Sequence, residues 1–260
     1  MQLDRLDWDG WFAASEMVRA DLVAEAAERV GGTVERGRVG PVVVVDGVRL
    51  ALVPGGAVAL GWDGRRTALE PKRRALWMKH ADFAGSFEDF LRTFMGPARS
   101  VSLAPMLVEL TGVAASTFEL GADPEKSVRD GVASSGFRML NSDEWENAAR
   151  AGVTTFFPWG NDWPAGEPVA ELTRFRGHLE ANRLGIERST DPYQVEVLGE
   201  DACVRGGDGG TALGGGRPPP EAWYSFALAF QYPRALWEEV LPELYEQAIV
   251  RRAMSLPTDK

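Results

Sequence analysis

The chain has 260 residues, 45% of them hydrophobic and 25% charged, enough apolar side chain for one large domain and too much for wholesale disorder. Its formal net charge of -10 repels phosphate backbones and argues against general nucleic-acid binding. The single cysteine, Cys203, excludes an internal disulfide, and no run approaches the roughly 20 apolar residues of a membrane span.

The first ten residues do not read as a secretory signal, so a cytoplasmic protein without membrane attachment is expected. Residues 8 to 30 read as one helix, with Trp8, Trp11, Phe12, Ser15, Val18, Leu22 and Ala26 on one face and Gly31-Gly32 as its end. Pro41–Val45 and Val48–Val53 are β-prone runs joined by Asp46-Gly47, a strong hairpin signal because both turn residues tolerate positive φ. Pro54-Gly55-Gly56 makes a second turn and Ala57–Leu60 a third strand, which together read as a β-meander. Phe83, Phe87, Phe90, Leu91 and Phe94 predict a short helix ended by Gly96-Pro97, and residues 101 to 110 predict one strand. Asp123-Pro124 opens a helix through Val128 and Val132. Residues 141 to 150 read as a helix capped by Asn141, with Asp143 and Glu144 at its positive end and Gly152 beyond it. Residues 153 to 233 are rich in Gly, Pro and Trp, with a Gly-rich loop over 206–216. Leu236 to Met254 reads as a final amphipathic helix.

Separated segments, in order, resemble the sulfatase-modifying-factor family, which includes the formylglycine-generating enzymes. Leu50-Ala-Leu-Val-Pro-Gly-Gly-Ala-Val-Ala-Leu-Gly61 is similar to its opening strand–turn–strand. Gly136-Phe-Arg-Met-Leu-Asn-Ser-Asp-Glu-Trp-Glu-Asn-Ala-Ala-Arg150 resembles its Gly-x-Arg-Leu-Pro-Thr-x-x-Glu-Trp-Glu-x-Ala-Ala-Arg segment, and Phe157-Pro-Trp-Gly160 the Tyr-Pro-Trp-Gly that follows. Asn182-Arg-Leu-Gly185 and Val204-Arg-Gly-Gly207 resemble the later Asn-x-x-Gly and Arg-Gly-Gly-Ser-Trp elements, the last departing at Asp208-Gly209. The resemblance spans about residues 48 to 233. It implies an α+β, C-type-lectin-like domain over residues 36–233, with an N-terminal helical segment (1–35) and a C-terminal helix and tail (234–260) added.

The resemblance also implies what chemistry to look for. Formylglycine-generating enzymes hold copper on two thiolates that follow the Arg-Gly-Gly element, and soft thiolates suit Cu(I). Residues 208 to 233 contain no cysteine, and Cys203 reads as a small buried hydrophobe, so that oxidase activity is not expected. Related iron enzymes use a histidine cluster, whereas His80 and His178 lie far apart here. Glu200, Asp201 and Asp208 near Arg205 could take a hard cation, but a solvated acidic loop is the favoured reading. No catalytic residue and no cofactor is assigned. The expected function is a non-catalytic pseudoenzyme, a ligand- or protein-binding accessory module, whose ligand surface is formed by Trp159, Asn182, Arg205, Asp208 and Trp223. The alternative is an enzyme with altered, cysteine-independent chemistry in the same pocket. The terminal helices are the expected route to a partner protein or a homo-oligomer.

Overall fold

The computed structural model describes residues 2–64, 75, 85–161, 177, 180–188, 194–199, 203–207, 223–233 and 245–257. The helix expected over residues 8 to 30 is two helices, α1 (Trp8–Ala13) and α2 (Glu16–Arg29). The reason is local. Asp7 caps α1 by accepting from the Gly10 N–H, and the Ser15 hydroxyl accepts from the Val18 N–H and so starts a second helix. Helix α2 buries Leu22, Val23, Ala26 and Ala27 against β1 (Thr33–Arg36) and β2 (Pro41–Val45).

The hairpin from β2 to β3 (Val48–Val53) turns at Asp46-Gly47, both at positive φ, as expected. The meander does not continue. β4 (Gly56–Leu60) leaves the sheet and pairs with β5 (Arg99–Leu103), while β3 pairs with β6 (Met106–Glu109). The single strand expected over 101 to 110 is thereby divided at Ala104-Pro105, where the chain passes from one sheet to the other. Between β4 and β5 lies α3 (Phe87–Phe94), opened by a Ser86–Asp89 capping box, with Phe87, Phe90, Leu91 and Phe94 buried. Phe83 lies outside the described residues.

After β6 come β7 (Val113–Ala114), α4 (Pro124–Ser134), β8 (Arg138–Met139) and α5 (Ser142–Arg150). The remaining strands are β9 (Glu196–Val197), β10 (Cys203–Arg205), β11 (Tyr232–Pro233), β12 (Ile249–Val250) and β13 (Arg252–Ser255). One antiparallel sheet runs in the order β1-β2-β3-β6-β13-β8. A second runs β11-β10-β9-β12-β7, with β9 and β12 parallel. The protein is thus of mixed α+β class.

The C-terminal helix expected through Met254 is overturned. Tyr245–Gln247 are helical, but Ile249–Val250 and Arg252–Ser255 are strands, and residues 236–244 lie outside the described residues. Strand β13 fills the place between β6 and β8, where both of its edges find partners. That ladder outweighs the helical spacing of its side chains. The N-terminal segment packs into the same core. Trp8 Nε1 donates to Asn147 Oδ1 of α5 at 2.8 Å, and Arg29 Nη1 donates to the Pro257 carbonyl at 3.0 Å. Among the described residues, no helix is long and apolar enough to cross a membrane.

Candidate functional site

Helix α5 organises the region where the family-like segments meet. The Asn141 side chain accepts from the Glu144 N–H while the Glu144 carboxylate accepts from the Asn141 N–H, and the chain leaves the helix through Ala151 and Gly152 at positive φ. Every residue from Trp145 to Arg150 is buried. The polar ones cannot be left bare, because an unpaired buried donor or charge is costly. Glu146 Oε1 accepts from the Gly61 N–H at 2.6 Å and from Arg150 Nη2 at 2.7 Å, and Arg150 also donates to the Gly61 carbonyl. Gly61 has φ +78, and a Cβ there would lie 2.0 Å from the Pro97 carbonyl oxygen, so glycine alone fits this clamp between β4 and α5. Glu146 Oε2 receives Arg99, which also pairs with Asp143.

The other segments attach to the two ends of the same helix. At its N-terminal end Arg205 donates from Nε and Nη2 to Ser142 Oγ and from Nη1 to the Phe230 carbonyl, and its guanidinium stands over the Trp145 ring. At its C-terminal end Asn182 Nδ2 donates to the Ala148 carbonyl, and Asn182 Oδ1 accepts from the Leu184 and Ile186 N–H groups. Trp159 stacks on Phe157 with centroids 4.9 Å apart and meets Trp223 edge-on at 6.1 Å.

A cavity of about 160 Å³ opens at this C-terminal end, lined by Ala149 and Arg150 of α5, by Pro158 and Trp159, and by Asn182 and Arg188. Two larger clefts, of about 310 and 250 Å³, lie against α2 and against the β2–β3 turn. The first is lined by no buried ionic group, and in the second the buried one, Glu109, is paired with Arg252. The smaller cavity differs in one side chain. Arg188 is 8% exposed, its Nε has no hydrogen-bond partner, and it forms no ion pair with any described residue. Behind it, Glu196 accepts from Trp145 Nε1 at 2.7 Å and from Arg251 Nε and Nη2 at 3.0 and 2.7 Å. Burial pushes the Arg188 guanidinium down from its usual range to about 10, with Glu196 opposing the shift and Arg251 adding to it.

Trp159 and Asn182, both expected at the ligand surface, line this cavity, and Trp223 is buried behind Trp159. Arg205 does not join them. It is fully buried at the opposite end of α5, about 12 Å away at the helical rise of 1.5 Å per residue, with its donors committed to Ser142 and Phe230. Asp208, Glu200, Asp201, His80 and His178 lie outside the described residues, as does the Cys203 side chain. Among the described residues, no group of three His, Cys, Asp or Glu converges as a metal site. Arg188, Glu196 and Arg251 carry no sequence signal of burial, because a single charged residue, even beside apolar neighbours such as Val195 and Val250, reads as a solvated position.

No protein-family model matches the chain, and no curated protein sequence matches it.

Proposed function

We propose that the chain is a binding module on a sulfatase-modifying-factor-type, C-type-lectin-like fold, and that its ligand sits in the cavity at the C-terminal end of α5. The observation that carries this reading is the convergence of the family-like segments on one helix. Gly61, Asn182 and Arg205 come from separate stretches of sequence and each bonds to α5, the helix of Trp145, Glu146 and Arg150, while Trp159 lines the cavity at its end. Residues that are far apart in the chain and serve one another in the fold are what a shared architecture requires. The same contacts favour binding over catalysis. The polar side chains of Glu146, Arg150, Asn182 and Arg205 are consumed in holding segments together, which leaves them unsuited to move protons.

Native mass spectrometry of the purified full-length protein, before and after mild unfolding, tests the reading. A small molecule or peptide should be released from the wild type and be absent from Trp159→Ala. A bound species retained equally by that variant would move the ligand away from this cavity. A separate incubation with copper, oxygen and a sulfatase-type cysteine peptide should leave the thiol mass unchanged. Conversion to formylglycine would overturn the non-catalytic reading, and loss of that turnover in Cys203→Ser would identify the residue responsible.

A further inference from the structure

We infer that the cavity at the C-terminal end of α5 seats the carboxylate group of a small organic acid or of a peptide, and that Arg188 is the side chain that receives it. The inference rests on the binding-module reading and names the chemistry of its ligand.

The argument is one of charge balance in a closed space. Glu196, Arg251 and Arg188 form a buried group with one negative and two positive charges. Glu196 and Arg251 satisfy each other through two hydrogen bonds, and Arg251 also donates to the carbonyls of Glu109, Leu110 and Glu187. The excess positive charge therefore rests on Arg188, which is more than nine-tenths buried and has an unpartnered Nε. A guanidinium in that position is missing an acceptor, and it lines a cavity large enough to supply one. Of the nearby polar groups, Glu180 lies exposed at the rim and makes no ion pair with Arg188, and the others are already committed. Arg150 is held by Glu146 and Gly61, and both ends of the Asn182 carboxamide are in use.

The ligand's charge and body follow from the lining. At the exposed rim Glu180 and Arg183 carry opposite charges, so the surplus inside is the one positive charge of Arg188, which matches a singly charged, planar carboxylate whose two oxygens suit the guanidinium fork. A doubly charged phosphate would meet Glu180 at the rim and Glu196 behind Arg188. Val153, Pro158 and Trp159 offer an apolar wall, so the acid should carry an apolar or aromatic body.

The test uses the full chain and two matched pairs of probes, benzoate with benzamide, and a Gly-Gly-Phe tripeptide with its C-terminal amide. Binding is read from thermal stabilisation and tryptophan fluorescence in wild type, Arg188→Met, Arg188→Lys and Trp159→Ala. Benzoate or the free-acid peptide should bind at least tenfold tighter than its neutral partner. That preference should vanish in Arg188→Met and survive in part in Arg188→Lys, while the melting temperature of unliganded Arg188→Met stays equal to or above that of the wild type. Which acid wins assigns the source of the carboxylate. Equal binding of acid and amide that depends on Trp159 would overturn the carboxylate inference and leave the binding-module reading standing. No binding of any probe, with a co-purified ligand displaced by none of them, would likewise overturn the carboxylate inference alone. Collapse of Arg188→Met and Arg188→Lys without ligand would show that Arg188 holds the fold, and would overturn the inference directly.

Discussion

Two buried carboxylates, Glu146 within α5 and Glu196 on β9, gather arginines in different ways. Around Glu146 every guanidinium finds an acceptor, although three arginines meet only two carboxylates. Arg150 donates to it and to Gly61, Arg99 is shared with Asp143, and Arg205, 3.5 Å from Glu146, is held by Ser142 and Phe230. Around Glu196 one guanidinium does not, because Arg251 takes both carboxylate oxygens and the Arg188 Nε is left without an acceptor. The first cluster is what a fold needs, since buried ions are tolerated only when fully paired. The second carries a charge that the fold alone does not explain, and it is the one that faces a cavity.

This contrast can be broken most severely at Glu146. Glu146→Ala leaves Arg150 and Arg99 without their buried acceptor, and should cost about 3–5 kcal/mol in urea denaturation. A loss under about 1 kcal/mol would mean the cluster is wet and unimportant. Trp145→Ala should cost a similar 3–5 kcal/mol, because the ring is 4% exposed and its Nε1 serves Glu196. Trp159 is only partly buried, so Trp159→Ala should cost less, about 1–3 kcal/mol by the same measurement. Removing the Asn141 cap by Asn141→Ala should cost about 1 kcal/mol.

Arg188→Met sharpens the comparison by carrying the opposite sign. The folded state holds the Arg188 proton less tightly than the unfolded chain, with its pKa lowered to about 10. The penalty on the charged form is therefore complete below about pH 10 and is relieved only as pH rises from there towards the unfolded arginine's ordinary range. At pH 7 the substitution removes all of it, on the order of 3 kcal/mol at most. Lost packing offsets part of that gain. Unfolding free energy at pH 7 should stay level or rise by up to about 2 kcal/mol, where Glu146→Ala falls.

The sequence announced those elements whose causes are local. Asp46-Gly47 specifies its turn through two positive φ values, and Asn141 with Glu144 specifies a helix start through hydrogen bonds spanning four residues. Ser15 is equally local, but its spacing also fits one more position on a helical face, which hides its role as a cap. What was illegible depends on remote partners. β4 leaves the first sheet because β6, some fifty residues later, takes its place beside β3. Residues 249 to 255 carry a helical spacing, and they become strands because β9, β6 and β8 offer edges for them. At the candidate site, Trp159 and Asn182 were legible through motif resemblance. Arg205 was legible as a motif residue, but its burial was not. Arg188 had no local signature, since only three-dimensional packing tells a buried arginine from a solvated one.

The position of β13 sets a timetable for synthesis. Strands β3 and β6 are complete once residue 109 has been made, yet one edge of β6 and one edge of β8 are reserved for residues 252 to 255. A ribosome elongating this chain therefore displays two unpaired edges for more than a hundred further residues. Such edges recruit other strands, and long-range closure is slow. The nascent chain is accordingly expected to need a holding chaperone until its last strand emerges.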